Sequence, residues 1–217
     1  PRVRAVLNSR APRWLACLVE PHFIYCLSIG KLIIDLEVPM PRIKDVLYVR
    51  FKVSDLQAQK AFLDDFGLRT EIQNGLLVAR GTDTSPYIYL AEESSEPALV
   101  SVGFAADSLA ALQEIADIDG VSIETNPLIG GGFIARLQDP NGFAIEVVAD
   151  YLPTSELPIV NRSGINTGAV KQRIGERVSL GVLDCFIKRL GHVVLTVKDF
   201  DETFAWYQQR LGLIISD

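Results

Sequence analysis

An internal repeat constrains this chain more than any other feature of its sequence. Val53, Asp55, Ala61 and Phe62 recur as Val197, Asp199, Ala205 and Trp206, every pair separated by the same 144 positions (Asp55 to Asp199). One extra residue then enters before the closing glycine, Gly67 in the first copy and Gly212 in the last. Chance rarely reproduces strand, cap, aromatic and glycine in order, so the chain is read as repeated supersecondary units.

The first unit opens at Val46, where Leu47, Val49, Phe51 and Val53 alternate with Tyr48, Arg50 and Lys52. A period of two marks a half-buried strand. Ser54-Asp55 supplies an N-cap, because a short side-chain oxygen accepts the free amides of a first helical turn. Ala58, Phe62 and Phe66 follow at a spacing of four and are read as one helix face, which Gly67 ends. Strands are expected at 69–73, 76–80 and 87–91, with Asn74-Gly75 as a tight turn between the first two.

The order then repeats. Residues 99–105 read as a strand, Asp107 as a cap, and Leu109, Leu112 and Ile115 as a helical stripe closed by Gly120. Strands are expected at 121–124, 133–138 and 143–148. Asp139-Pro140-Asn141-Gly142 joins the last two as a hairpin, with proline presetting one φ and glycine tolerating another. Gly130-Gly131-Gly132 precedes no helix N-terminus or P-loop lysine and reads as a hairpin approach. Residues 151–187 scatter proline, glycine and serine without a period and are read as a linker. At Arg189 the first unit begins again: Val193, Leu195 and Val197 alternate with His192, Val194 and Thr196, and a helix carrying Trp206 and Tyr207 follows.

Composition excludes some functions. The 217 residues carry a net charge of −6 and no clustered basic stripe, which argues against nucleic-acid and polybasic membrane partners. Hydrophobic residues make up 48%, enough for a proper core. Cys17, Cys26 and Cys185 do not form a disulfide framework or zinc pattern and are expected as free thiols in a reducing compartment. Residues 1–39 precede the single methionine, Met40, and are expected as an extension outside the fold. Arg2, Arg4, Arg10 and Arg13 ahead of an apolar run keep a targeting segment open as the alternative. Glu20, Pro21, His22 and Lys31 interrupt that run, so it makes a poor spanning helix. A cytoplasmic location is the expectation.

The string Leu190-Gly191-His192-Val193-Val194-Leu195-Thr196-Val197-Lys198-Asp199-Phe200, with Ala205-Trp206-Tyr207 and Leu211-Gly212-Leu213, resembles the opening module of a vicinal oxygen chelate domain. Asp139-Pro140-Asn141-Gly142-Phe143-Ala144-Ile145-Glu146 resembles its closing hairpin. The superfamily includes glyoxalase I, extradiol dioxygenases, fosfomycin-resistance proteins and bleomycin-binding proteins. The resemblance implies an α+β fold of tandem βαβββ modules. Residues 44–150 would be one full, metal-free domain, and 188–217 the first strand and helix of a second, truncated at the C-terminus.

This layout most resembles the two-domain extradiol dioxygenases, which implies Fe(II) (or Mn(II)) held by two histidines and a glutamate in the second domain. His192 maps onto the first of those ligands. On its strand it shares a face with Val194 and Thr196, opposite the face that buries. The other ligands would lie beyond Asp217, so the residues present would not complete an active enzyme. In the first domain Tyr48 stands where His192 stands, the next position falls on Val100 or Ser101, and Glu146 matches the family's carboxylate. Arg50 and Lys52 on the same face would repel a divalent cation or pair with Glu146.

The implied function is a metal-dependent dioxygenase that cleaves a catechol-like ring with O2. The alternatives are a glyoxalase-type lyase or isomerase and a metal-free small-molecule-binding protein. The expected partner is a small-molecule substrate, with homo-oligomerisation through sheet edges left open.

Overall fold

The computed structural model describes residues 42–158 and 186–214, together with three short strands before them. Backbone contacts divide the chain into Pro1–Met40 and Pro41–Asp217. In the first unit β1 (Cys17–Glu20), β2 (Phe23–Ser28) and β3 (Leu32–Leu36) form an antiparallel meander, although no element was expected there. Its register sets Cys17 opposite Cys26. His22, Met40, Cys185 and the linker from 159 to 185 lie outside the described residues.

The second unit is built on one mixed sheet. β4 (Ile43–Val53), α1 (Leu56–Asp65), β5 (Arg69–Gln73), β6 (Leu76–Arg80) and β7 (Tyr89–Glu93) make the first βαβββ module. β8 (Ala98–Ala106), α2 (Leu109–Asp119), β9 (Ile123–Thr125), β10 (Phe133–Gln138) and β11 (Ala144–Ala149) make the second. The eight strands run in the order β5-β6-β7-β4-β8-β11-β10-β9. β4 pairs antiparallel with β8, and in each module the opening strand pairs parallel with the closing one. The two halves are therefore related by a local two-fold between β4 and β8. This α+β arrangement is the one the repeat predicts.

Local chemistry sets the ends of these elements. Asp55 caps α1 by accepting the amides of Gln57 and Ala58 at 2.9 and 2.8 Å. For α2 the cap is Ser108 rather than the expected Asp107, its Oγ accepting Ala111 N at 3.1 Å. Asn74 and Gly75 both take positive φ, as a two-residue hairpin turn requires. Asp139 Oδ1 accepts the amides of Asn141 and Phe143 at 2.8 and 2.9 Å, fixing the turn between β10 and β11.

Both helices cover one face of the sheet. Leu112, Ile115 and Ala116 of α2 bury against Val102, Ala135, Ile145 and Val147, and Leu56 and Leu63 of α1 against Leu77, Ala79 and Ala91. Fully burying a side chain such as Leu112 contributes about 1.5–3 kcal/mol. The expected α1 face is the wrong one. Phe62 and Phe66 point to solvent and stack on each other, ring centroids 5.8 Å apart.

The third copy of the repeat departs from expectation at its strand. Residues 186–199 join no sheet among the described residues. The alternation survives as burial: Val193, Leu195 and Val197 are half-buried, while His192, Val194 and Thr196 are exposed. The reason is geometric. This stretch packs Val193 and Leu195 onto the helix-bearing face around Val102 and Phe104 of β8, which already has β4 and β11 as neighbours and offers no free edge. The expected helix does form, as α3 (Phe200–Leu211), capped by Asp199 and closed by Gly212 in the left-handed region.

α3 docks on the second module. Thr203, Tyr207 and Leu211 are buried there. Arg42 donates to the carbonyls of Gln209 and Leu211 through Nη1 and its backbone amide, at 2.8 and 3.1 Å, satisfying groups that a helix end leaves open. Arg210 pairs with Asp119 at 2.7 Å and lies over the Trp206 ring. Asn141 reaches α3 by donating to Thr203 Oγ1 at 2.9 Å.

Candidate functional site

The helix-free face is where the repeat brings its polar residues together. Strand register places Tyr48 opposite Gly103 and Arg50 opposite Ser101 across β4 and β8, with Glu146 beside Gly103 on β11. The local two-fold thus makes Tyr48 and Ser101 equivalent. Ser101, not Val100, is the residue on this face. Val100 falls where the β4–β8 register shifts between Arg50 and Phe51 and is left unpaired.

Tyr48 and Ser101 converge on one atom. The Tyr48 hydroxyl donates to Glu146 Oε2 at 2.7 Å, and Ser101 Oγ donates to the same oxygen at 2.6 Å. Arg136 Nε donates to Glu146 Oε1 at 3.3 Å, and its Nη1 reaches Glu124. The expected pairing of Arg50 or Lys52 with Glu146 is corrected here. Arg50 instead pairs with Glu92 at 3.1 Å, and Arg136 is the cation on Glu146. The sequence reading missed Arg136. Its signal was the alternation Ile134, Arg136, Gln138, which puts it directly across from Glu146 in the hairpin.

The cluster is packed as well as bonded. Tyr48 is 0% exposed and Glu146 7%, so both polar groups have lost bulk water and rely on each other. Burial, then the nearby Glu146 charge and its hydrogen bond, hold the Tyr48 phenol far above its ordinary pKa, so it stays a donor. Its ring meets Tyr87 edge-on at 5.1 Å, and burial pushes the Tyr87 phenol up to about 12. Asn126 Nδ2 donates to Tyr87 Oη at 3.2 Å. The glycine run 130–132 takes positive φ throughout. A Cβ at Gly132 would overlap the Ala149 carbonyl, so the run provides a close backbone approach, as expected. Gly103 likewise leaves room that the Tyr48 ring fills.

These donors do not suit a divalent cation. Both hydroxyl protons are spent on Glu146 Oε2, and a guanidinium occupies the other oxygen. His192 stands apart from this cluster. It is exposed, and with Phe104, Leu195, Phe204, Tyr207 and Leu213 it lines a largely apolar groove of about 490 Å³ on the helix-bearing side. Among the described residues no three His, Cys, Asp or Glu side chains are grouped to hold a metal. No described helix is long and apolar enough to cross a membrane.

Two βαβββ modules joined through their opening strands define the glyoxalase/extradiol dioxygenase fold. Among solved structures the chain is similar to the Mn(II)-bound glyoxalase from Novosphingobium aromaticivorans, with a TM-score of 0.62 and 18% identity over 80% of this chain and 54% of that one. It is also similar to the 2,3-dioxygenase LapB from Pseudomonas sp. KL28, with a TM-score of 0.50 and 19% identity over 59% of this chain and 48% of that one. The chain therefore spans about half the length of each. No protein-family model matches the sequence, and no curated protein does.

Proposed function

We propose that this chain forms the first domain and the opening strand–helix unit of a two-domain, metal-dependent extradiol-type dioxygenase. One observation carries the reading. His192 occupies the repeat position of Tyr48, and Tyr48 lies at the centre of the helix-free face with its hydroxyl on the closing-strand glutamate. In a second domain paired as the first is, an imidazole at position 192 would face a carboxylate on the corresponding closing strand. The exposure of His192, Val194 and Thr196 is consistent with a face that further chain would cover.

His192 is the ligand this chain would offer to Fe(II) or Mn(II). Held by His192 and the ligands of a complete second domain, such a metal would supply Lewis-acid and redox chemistry for a catechol and O2. The substrate is accordingly a small aromatic diol, and homo-oligomerisation through sheet edges fits the same architecture.

The test uses the natural full-length protein, purified without oxygen and loaded with Fe(II) or Mn(II). With simple catechols it should consume one O2 per ring opened. His192→Ala should lose bound metal and more than about 100-fold in turnover, beyond what loss of a ligand-supporting contact costs. A metal-loaded protein that leaves catechols intact but isomerises a hemithioacetal would replace this reading with the glyoxalase-type one. A protein that binds a small molecule and holds no metal would sink both.

A further inference from the structure

We infer that Tyr48, Ser101 and Arg136 form a metal-independent clasp on Glu146 that joins the two βαβββ halves of the first domain. The four residues come from four neighbouring strands. Tyr48 lies on β4, Ser101 on β8, Glu146 on β11 and Arg136 on β10. Only Tyr48 belongs to the first half, and its bond to Glu146 therefore spans the local two-fold.

The clasp fills the place where a chelating centre would otherwise sit. A carboxylate at 7% exposure needs partners, because an unpaired buried charge is costly. A divalent ion would satisfy Glu146, and so do two hydroxyl donors and a guanidinium. The two solutions exclude each other. A cation on Oε2 would face two O–H groups whose protons point at the same lone pairs, and it would sit near the charge of Arg136. Shape agrees with this choice. Gly103 is where a Cβ would overlap the Tyr48 ring, so the backbone of β8 is fitted to a phenol at this point. Tyr87 meets the same ring edge-on, with Asn126 in turn on Tyr87. Nothing in this inference depends on the second domain or its reaction.

The experiment uses the 217-residue chain. Bound metal and Tm are measured as purified, after chelation, and after Mn(II), Fe(II) or Zn(II) is returned. The clasp predicts one Tm throughout. It also predicts a Tm lower by about 2–4 °C in Tyr48→Phe, the shift that loss of one net hydrogen bond gives a folded unit of this size. Ser101→Ala, the gentler change, should show a smaller fall in the same direction. A metal-dependent rise in Tm that Glu146→Gln abolishes and His192→Ala retains would overturn the clasp. Wild-type Tm in both Tyr48→Phe and Ser101→Ala would also overturn it. Metal lost in His192→Ala but kept in Glu146→Gln belongs to the second domain and leaves the clasp standing, so its failure and that of the proposed dioxygenase remain distinguishable.

Discussion

At the scale of single residues, Gly103 and Tyr48 are one packing unit split between two strands. A Cβ at position 103 would overlap the Tyr48 ring, so Gly103→Ala should cost about 1–3 kcal/mol, the usual range for overpacking a tight interior. Tyr48→Ala removes the obstacle and leaves a cavity. The double substitution should therefore be no less stable than Tyr48→Ala alone, and urea denaturation of the three variants reads this directly. Equal, additive losses would mean that the ring and the glycine do not share the space. Some of this cluster was legible beforehand. Tyr48 was reached as the repeat position of His192, and Glu146 through the resemblance of its hairpin to the family's closing one. Ser101 could not be separated from Val100 because the repeat offset hangs on the cap of α2: counting Asp55 to the expected Asp107 lands on Val100, and counting to Ser108, the cap observed, lands on Ser101. Asp and Ser are both good cap acceptors, so the local pattern does not rank them.

At the scale of elements, α1 shows how a periodic pattern can be real and still face the wrong way. Ala58, Phe62 and Phe66 do share a helix face, but the sheet receives Leu56 and Leu63. Seven residues apart, those leucines satisfy the helical period equally well, and periodicity alone does not rank two faces. Leu63→Ala should therefore cost about 2–5 kcal/mol, as for a buried leucine. Phe62→Ser should stay within about 0.5 kcal/mol of the parent, as for a surface change. Denaturation midpoints would decide, and a large loss at Phe62 would show its exposed ring to be covered by something in solution. The hairpins and helix ends were more legible than the faces. Asn74-Gly75, Asp139-Pro140-Asn141-Gly142, Asp55, Asp199, Gly120 and Gly212 all act through local backbone geometry. The strand at 189–197 failed for the converse reason. Its alternation is written in its own residues, but pairing needs a partner edge, and the sequence of one strand carries no information about that.

At the scale of the whole second unit, the boundary at residue 150 is less of a break than the repeat suggests. The chain after β11 returns across the first domain, with the amides of Leu152, Thr154 and Leu157 on the carbonyls of Gly130, Thr84 and Thr82. Ile187 and Lys188 then accept the amides of Thr82 and Asp83, and α3 follows onto the face beside α2. Tyr207 and Leu211 belong to the same buried cluster as Val102, Leu112 and Ile145. Val193 and Leu195 extend it. A chain ending after Leu157 would keep both modules but lose these four contacts, two of them from fully folded-in side chains. Their burial is worth about 1.5–3 kcal/mol each before the entropy of ordering the segment is subtracted. The expected net effect is a loss of a few kcal/mol and fresh apolar surface around Val102 and Phe104. Urea titration of the shortened chain should give a lower midpoint, and a dye that fluoresces on apolar surface should bind it and not the parent. An unchanged midpoint with no dye binding would mean that α3 rests on the first domain without stabilising it. Tyr207→Ala in the intact chain should move in the same direction as the truncation. It empties the centre of the contact and removes the phenol that donates to Asp139 Oδ2 at 3.3 Å.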